Sequence, residues 1–157
     1  MKIQLIGAGN KMPTWLAQGF KDYANRMPKY CQLSLTEVSS PKRSKNMDEV
    51  SMVRYESDQI LASIPENNHV IAMEVTGKQW SSEELAKKLE TWMQAGKNVS
   101  LLIGGANGLS NQCRARASNQ WSLSKLTFPH MLMRLLLAEQ IYRGLSIIQN
   151  HPYHRAD

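Results

Sequence analysis

The 157-residue sequence predicts an α/β fold: a mainly parallel sheet flanked by helices. Two observations support this prediction. Short apolar segments typical of strands alternate along the chain with segments that have the 3.6-residue period of amphipathic helices. Turn and capping residues separate many of these segments, as expected where strands and helices succeed one another. We expect residues 1–157 to form one domain, since this length suits a single sizeable core.

The first part of the chain predicts two strands and two helices. Residues 2–8 and 32–38 have the apolar pattern of strands. Between them, Pro13 suits the first position of a helix with an apolar stripe. Residues 41–46 form a basic loop, and a helix then continues to about Ile64, where a proline follows.

The middle of the chain continues the alternation. Residues 70–73 are apolar and short, as in a buried strand. Ser81 and Glu84 have the spacing of a capping box, in which each side chain bonds the other residue's backbone N–H. The helix that begins there ends at Gly96, and residues 99–103 form the next strand.

The last part of the chain predicts a short helix, a strand and a long final helix. The short helix lies around residues 113–117, residues 121–126 alternate like a half-buried strand, and the final helix begins near Pro129. Apolar side chains surround most of that final helix, so it needs cover on more than one side. One cover is the sheet; we interpret the other as a second copy of the chain, which predicts a homodimer.

Ligands of parallel sheets bind at the carboxyl ends of the strands. Segments with glycine or hydroxyl residues follow predicted strands at Gly7–Gly9, Thr76-Gly77, Gly104-Gly105 and Ser124–Phe128, and these are the first places to expect a site. The first segment invites a dinucleotide interpretation, with Glu37 as the ribose-binding acid. The third glycine of that motif is absent, so a plain turn is the better interpretation.

The net charge of +6 is unevenly distributed along the chain. Residues 1–46 carry a net +6, residues 47–110 a net −4 and residues 111–157 a net +4. If the two basic ends meet in space, they favour a polyanionic partner, although a merely basic surface explains the charge equally well. There is no apolar run of about 20 residues and no signal peptide, so we expect a cytoplasmic protein without a membrane partner.

The segment His151-Pro152-Tyr153-His154-Arg155 places several rings and an arginine near the chain end. Two histidines alone do not make a metal site, and no further ligand is spaced to join them, so we predict no metal. Stacking rings beside an arginine suit RNA bases and phosphates, and packing of a folded-back tail suits them equally.

Six segments, in their order along the whole chain, form a recognisable set: Lys11-Met12-Pro13; Lys42-Arg43-Ser44-Lys45-Asn46; Ser100–Gly105 with Gly108-Leu109-Ser110; Trp121–Ser124 with Thr127–His130; Ala138–Arg143; and Asn150–Arg155. Together they resemble one family: ribosomal RNA large subunit methyltransferase H, of the SPOUT class. The resemblance implies a C-terminal trefoil knot that binds S-adenosylmethionine. It further implies methylation of N3 of a pseudouridine in the intersubunit-bridge stem-loop of large-subunit RNA, by a homodimer that prefers assembled ribosomes.

The same resemblance implies roles for particular residues. The implied catalytic group consists of His130, Tyr153 and Arg155. His130 relays a proton, and Arg155 neutralises phosphate or steadies the target ring. Tyr153 and Arg155 come from the partner subunit. Arg143 and the Lys42–Lys45 loop are implied phosphate contacts. No metal is needed. The implied cofactor-binding residues are Met73 (where the family commonly has Leu), Gly104, Leu123, Ser124, Lys125, Leu126, Thr127 and Phe128.

Two other functions stay open at this point. A non-catalytic ribosome-binding or assembly factor explains the basic charge and the dimer, but not Gly104-Gly105 beside Leu123–Phe128. A SPOUT methyltransferase that acts on another RNA, such as tRNA, explains the charge equally well. The RNA that becomes methylated distinguishes these alternatives.

Overall fold

The computed structural model describes residues 1–9, 11–41 and 47–155. Within these ranges strands and helices alternate, as predicted. The elements are β1 (Lys2–Ala8), α1 (Thr14–Arg26), β2 (Gln32–Val38), α2 (Glu49–Ala62), β3 (His69–Gln79), α3 (Ser82–Gln94), β4 (Val99–Ile103), α4 (Asn111–Arg116), β5 (Asn119–Ser122), α5 (His130–Ile148) and a short 3₁₀ helix (Pro152–His154).

The five described strands form one sheet in the order β2-β1-β4-β3-β5. Every neighbouring pair of strands is parallel. The central strand β4 lies between β1 and β3, so Leu101 stands beside both Leu5 and Ile71. The prediction of a mainly parallel sheet flanked by helices is confirmed.

Successive residues of the strands pack on opposite faces of the sheet. Leu5 and Leu101 belong to the larger cluster, which includes buried apolar side chains from each of α1, α3 and α5. Ile6 and Leu102 belong to the other cluster, which includes Ile60 of α2 and buried residues next to and within α4. Both faces are covered, which explains the nearly continuous apolar character of β1 and β4.

The predicted capping box at the start of α3 is confirmed. The N–H of Glu84 donates to the Ser81 hydroxyl at 3.0 Å, and the N–H of Ser81 donates to the Glu84 carboxylate at 2.7 Å. Gly96 follows the helix with a φ of +66°, in the left-handed region where glycine is favoured. The helix turns Leu85 and Leu89 into the core, as its apolar period predicts.

Two predicted strand boundaries are wrong. The strand expected over residues 121–126 ends at Ser122, because the Ser122 hydroxyl donates to the Ser124 carbonyl at 2.7 Å and the Ser124 hydroxyl accepts from the N–H of Leu126 at 3.0 Å. These local bonds favour a turn over a continued strand. Thr76-Gly77 lies inside β3 and not after it, since β3 shifts register and pairs β5 again at Lys78 and Trp121.

The final helix α5 lies against α1 and α3. Leu137, Ile141 and Leu145 are fully buried there, whereas Leu132 and Leu136 keep partial exposure. Among the described helices, none combines the length and the apolar character needed to cross a membrane. The described residues also contain no cluster of three or more histidine, cysteine or acidic side chains placed to hold a metal ion.

Candidate active site

A cavity of about 430 Å³ lies at the edge of the sheet where β4 and β5 end. Its walls come from the middle of β3, the turn after β4, the segment between β5 and α5, and the first turn of α5. The volume lies within the range of about 300–1,000 Å³ that is usual for small-molecule sites. The residues that line it are Met73, Glu74, Val75, Ile103, Gly104, Gly105, Ala106, Gly108, Leu109, Trp121, Ser122, Leu123, Ser124, Leu126, Thr127, Phe128, Pro129, His130 and Met133.

The turn after β4, which we name the glycine turn (residues 104–108), forms one wall, to which Gly104, Gly105 and Gly108 contribute backbone alone. The N–H of Gly108 donates to the carbonyl of Gly105 at 3.0 Å and closes the turn. A Cβ on Gly104 would stand only 2.5 Å from the carbonyl carbon of Gly108. Glycine at 104 is therefore required by close packing of the two chain segments.

Residues between 123 and 128 form another wall and include most of the predicted cofactor-binding residues. Leu123, Ser124, Leu126, Thr127 and Phe128 all line the cavity, together with Met73 and Gly104. Their side chains supply apolar surface and hydroxyl groups at one place. The remaining predicted residue, Lys125, is exposed and is not part of the described wall.

His130, the first residue of α5, lies half-buried at the same cavity. Burial, and then the positive charge of Arg134, hold the pKa of His130 below its ordinary value of 6.5. The imidazole is therefore neutral at pH 7 and able to accept a proton. The Nε2 atom of His130 lies 3.8 Å from the position that a Cβ on Gly9 would take, so the ring also lies close to the end of β1.

Tyr153 lies in a different part of the same chain. Its hydroxyl is 2.9 Å from the hydroxyl of Tyr23 and donates to the Glu139 carboxylate at 3.1 Å, while its ring packs edge-on against Tyr142 at 4.7 Å. Tyr142 follows His130 by twelve residues on α5, which is about 18 Å along the helix axis. Within one chain, the structure does not bring Tyr153 to the cavity.

The other predicted RNA contacts lie near Tyr153 or outside the described residues. Arg155 is exposed at the end of the 3₁₀ helix. Arg143 donates to the Glu139 carboxylate at 2.7 and 3.0 Å, and its guanidinium lies 5.1 Å from the centre of the Tyr153 ring. The Lys42–Lys45 loop lies outside the described residues.

Sequence reasoning missed two buried charged residues near the site. Arg134 is fully buried and donates from Nη1 to the Glu37 carboxylate at 2.9 Å, which gives Glu37 a structural partner in place of the ribose considered above. Glu56 of α2 is buried against Gly105, and burial raises the pKa of its carboxyl. A lone arginine in the apolar run Met131–Leu137 was a signal that could have revealed Arg134.

Sequence comparison relates the chain to a known family. The family model described as predicted SPOUT methyltransferase matches residues 1–154. Curated proteins named ribosomal RNA large subunit methyltransferase H are similar over 155 residues: those of Hahella chejuensis and Marinomonas sp. are each 50% identical, and that of Methylococcus capsulatus is 43% identical. Each match covers 99% of this chain and 99–100% of the relative.

Solved structures share the fold at low sequence identity. A probable methylase family protein from Haemophilus influenzae has a TM-score of 0.57 at 15% identity, covering 99% of this chain and 70% of that one. A probable methyltransferase from Bordetella pertussis has a TM-score of 0.59 at 13% identity, covering 91% and 95%. A protein from Legionella pneumophila, solved with bound S-adenosylmethionine, has a TM-score of 0.50 at 14% identity, covering 90% and 65%. From the family match over residues 1–154 and the relatives that are 43–50% identical, we conclude that the chain belongs to the SPOUT methyltransferase family.

Proposed function

We propose that this protein is an S-adenosylmethionine-dependent methyltransferase that methylates N3 of a pseudouridine in the intersubunit-bridge stem-loop of large-subunit (23S) ribosomal RNA. We further propose that residues 1–157 act as one domain, in the cytoplasm, on assembled ribosomes. The observation that carries the proposal is the cavity between the glycine turn and residues 123–128, in a chain 43–50% identical to ribosomal RNA large subunit methyltransferases H.

The cavity fits the proposed cofactor. Met73, Leu123 and Phe128 offer apolar surface for an adenine ring, and the glycines of the glycine turn offer backbone groups that carry no side chain. When bound, S-adenosylmethionine supplies a methyl group on a positively charged sulfur. The L. pneumophila neighbour with that cofactor supports this assignment. We propose that the chain around this cavity is tied as a trefoil knot and that Lys125, at the exposed rim, also contacts the cofactor.

His130 has the properties required of the group that takes the N3 proton. Methylation at N3 requires that this nitrogen lose its proton, and a neutral imidazole is a suitable acceptor. His130 lies at the cavity wall, and its lowered pKa keeps the ring neutral at pH 7. We assign it as the general base of the reaction.

Tyr153 and Arg155 complete the proposed site from a second copy of the chain. Both lie away from the cavity of their own chain, so a role beside His130 requires a partner subunit. The partly exposed apolar residues of α5, such as Leu132 and Leu136, support a homodimer through this helix. Arg155, Arg143 and the Lys42–Lys45 loop would then contact RNA phosphates or the target ring.

The test of the function is transfer of a labelled methyl group from S-adenosylmethionine to ribosomes purified from cells that lack this protein. Free ribosomal RNA and tRNA serve as parallel substrates. We expect label in the large-subunit RNA of whole ribosomes, at one pseudouridine. Label in tRNA alone would indicate another target, and absence of both transfer and cofactor binding would support a non-catalytic assembly factor.

The test of the shared site is a mixing experiment. His130→Ala and Arg155→Ala are each expected to be inactive as homodimers. If the tail acts on the partner's cavity, mixed dimers of the two variants contain one intact site, and activity returns on mixing. Light scattering should also give the mass of a dimer. Activity that does not return in a demonstrated mixed dimer would place Arg155 in the site of its own chain or outside any site.

A further inference from the structure

A buried arginine joins the last helix to the edge of the sheet, beside the cavity. Arg134, on the second turn of α5, is 0% exposed. Its Nη2 donates to the carbonyls of Ala8 and Gly9, each at 2.9 Å, and its Nη1 donates to the Glu37 carboxylate at 2.9 Å. The guanidinium packs directly on Gly7, where a Cβ would stand 3.0 Å from Nη2. We name this arrangement the arginine clamp (Arg134, Glu37 and the Ala8 and Gly9 carbonyls).

The stability of the folded protein does not by itself explain why an arginine is buried at this position. A buried ion pair seldom stabilises a protein more than well-packed apolar residues of the same size, because both charges lose their hydration. Arg134 has apolar neighbours along α5, and its Nε has no hydrogen-bond partner among the residues that the structure describes. An arginine differs from those neighbours in that its planar group fixes several acceptors in defined directions.

The acceptors that Arg134 fixes lie next to the proposed base. His130 precedes Arg134 by one helical turn, so the two side chains lie on the same side of α5. The side chains of His130 and Met131 lie close to Gly9, whose carbonyl accepts from Arg134. Met133, next to Arg134, lines the cavity. The arginine clamp therefore holds the first turn of α5 against the end of β1, at the place where that turn forms a wall of the cavity.

We propose that Arg134 is a positioning residue for methyl transfer, which holds His130 in place through the Ala8 and Gly9 carbonyls, with Glu37 as its counter-charge. This inference rests on the proposed function of His130. It assigns to the clamp an effect on the transfer step that is distinct from binding of the cofactor. A displacement of a reacting group by about 1 Å can slow a reaction by about 100-fold, so a small loosening of the clamp is measurable.

The test compares Arg134→Lys and Glu37→Gln with wild type. Lysine keeps the charge but cannot hold a carboxylate and two carbonyls in one plane. Glutamine keeps an acceptor for Nη1 and removes only the charge. Arg26→Lys is the matched control, because Arg26 forms an exposed ion pair with Asp22 at 2.8 Å. For each protein, we would measure the melting temperature, the Kd of S-adenosylmethionine, and the single-turnover rate of transfer to ribosomes at saturating cofactor.

We expect the single-turnover rate to fall by about tenfold or more in Arg134→Lys and less in Glu37→Gln, with the cofactor Kd within about threefold of wild type. The Arg26→Lys control should match wild type in all three measurements. A wild-type transfer rate in a folded Arg134→Lys variant would overturn the inference. The inference would also be overturned if the cofactor affinity of Arg134→Lys fell by the same factor as its transfer rate. If Arg134→Lys does not fold, the Glu37→Gln variant decides by the same criteria.

A second readout separates this inference from the proposed function. The imidazole ¹H–¹³C NMR signals of His130, assigned by their loss in His130→Gln, should shift in Glu37→Gln and stay unchanged in Arg26→Lys. Unchanged His130 signals in a folded Glu37→Gln variant would refute positioning by the clamp. A wild-type protein that labels no RNA would refute the proposed function instead, and the His130 signals would still decide whether the clamp positions this ring.

Discussion

Replacing Gly104 by alanine tests the proposal that the glycine turn forms a wall of a cofactor site. The added Cβ would stand 2.5 Å from the carbonyl carbon of Gly108 and 2.8 Å from its Cα and oxygen. Ordinary van der Waals contact begins at 3.4 Å, so the two backbone segments must separate by about 0.9 Å, from 2.5 to 3.4 Å. These three nearest atoms all belong to the backbone of Gly108, so relief of the contact requires backbone movement.

We expect Gly104→Ala to lower the free energy of unfolding and to weaken binding of the cofactor. Overpacking of a well-packed site costs about 1–3 kcal/mol of unfolding free energy. The displaced turn also changes the shape of the cavity, and we expect the Kd of S-adenosylmethionine to rise by about tenfold or more, which corresponds to about 1.4 kcal/mol. Methyl transfer at subsaturating cofactor should fall by at least the same factor.

The assay is isothermal titration of cofactor into the folded variant, with urea unfolding measured in parallel. Gly19→Ala is the matched control, because its Cβ would meet only the end of the flexible Leu135 side chain, at 2.9 Å. We expect Gly19→Ala to bind the cofactor with the wild-type Kd. A wild-type Kd for Gly104→Ala, in a protein that unfolds normally, would refute the assignment of the glycine turn to the cofactor site.

Tyr23→Phe removes the 2.9 Å hydrogen bond between the hydroxyls of Tyr23 and Tyr153, so we expect the free energy of unfolding to fall by about 0.5–1.5 kcal/mol. Amide hydrogen exchange at residues 151–155 should become faster. The control Tyr55→Phe loses only an exposed 3.3 Å contact with Ser39 and should show neither effect. The pKa of His130 lies below 6.5 in the folded protein, so as the pH falls from 6.5 the unfolded chain binds this proton before the folded chain does. The free energy of unfolding should therefore decrease between pH 6.5 and the folded pKa of His130. Urea unfolding of His130→Gln at the same pH values should lack this decrease. Burial raises the pKa of Cys31 to about 11, so iodoacetamide at pH 8 should leave this thiol unmodified in the native protein. After unfolding in guanidinium the thiol should be alkylated, which the intact mass of the protein reports. Rapid alkylation of Cys31 in the native protein would contradict its burial.

The sequence predicted most of the fold because its signals were local. The boundaries of β1 and β2, the capping box at Ser81 and the glycine after α3 each depend on residues a few positions apart. The end of β5 was mispredicted because Ser122 and Ser124 bond nearby backbone groups, which periodicity does not reveal. The extension of β3 depends on pairing with β5, about 45 residues later, and no local pattern encodes it.

The site was predictable in part for a similar reason. Gly104 and residues 123–128 follow strands, and the carboxyl ends of parallel strands converge, so their meeting at one cavity follows from the predicted topology. The arginine clamp was not predictable in the same way, because Arg134 meets Ala8 and Gly9 across 126 and 125 positions of the chain. The separation of Tyr153 from His130 likewise depends on how the tail folds back onto α1 and α5.

The position of β4 in the centre of the sheet has a consequence for how the protein folds. β1 pairs with β4 between Ile3 and Val99, so the first strand meets one of its two neighbours only after nearly two thirds of the chain has been synthesised. Until then β1 and β3 each present an open edge, and edges of this kind are prone to aggregation. Pairings between such distant segments also slow folding. The strand that leads into the glycine turn is thus the one that joins β1 to β3, so the two parts of the sheet are connected in the same step that places the glycine turn.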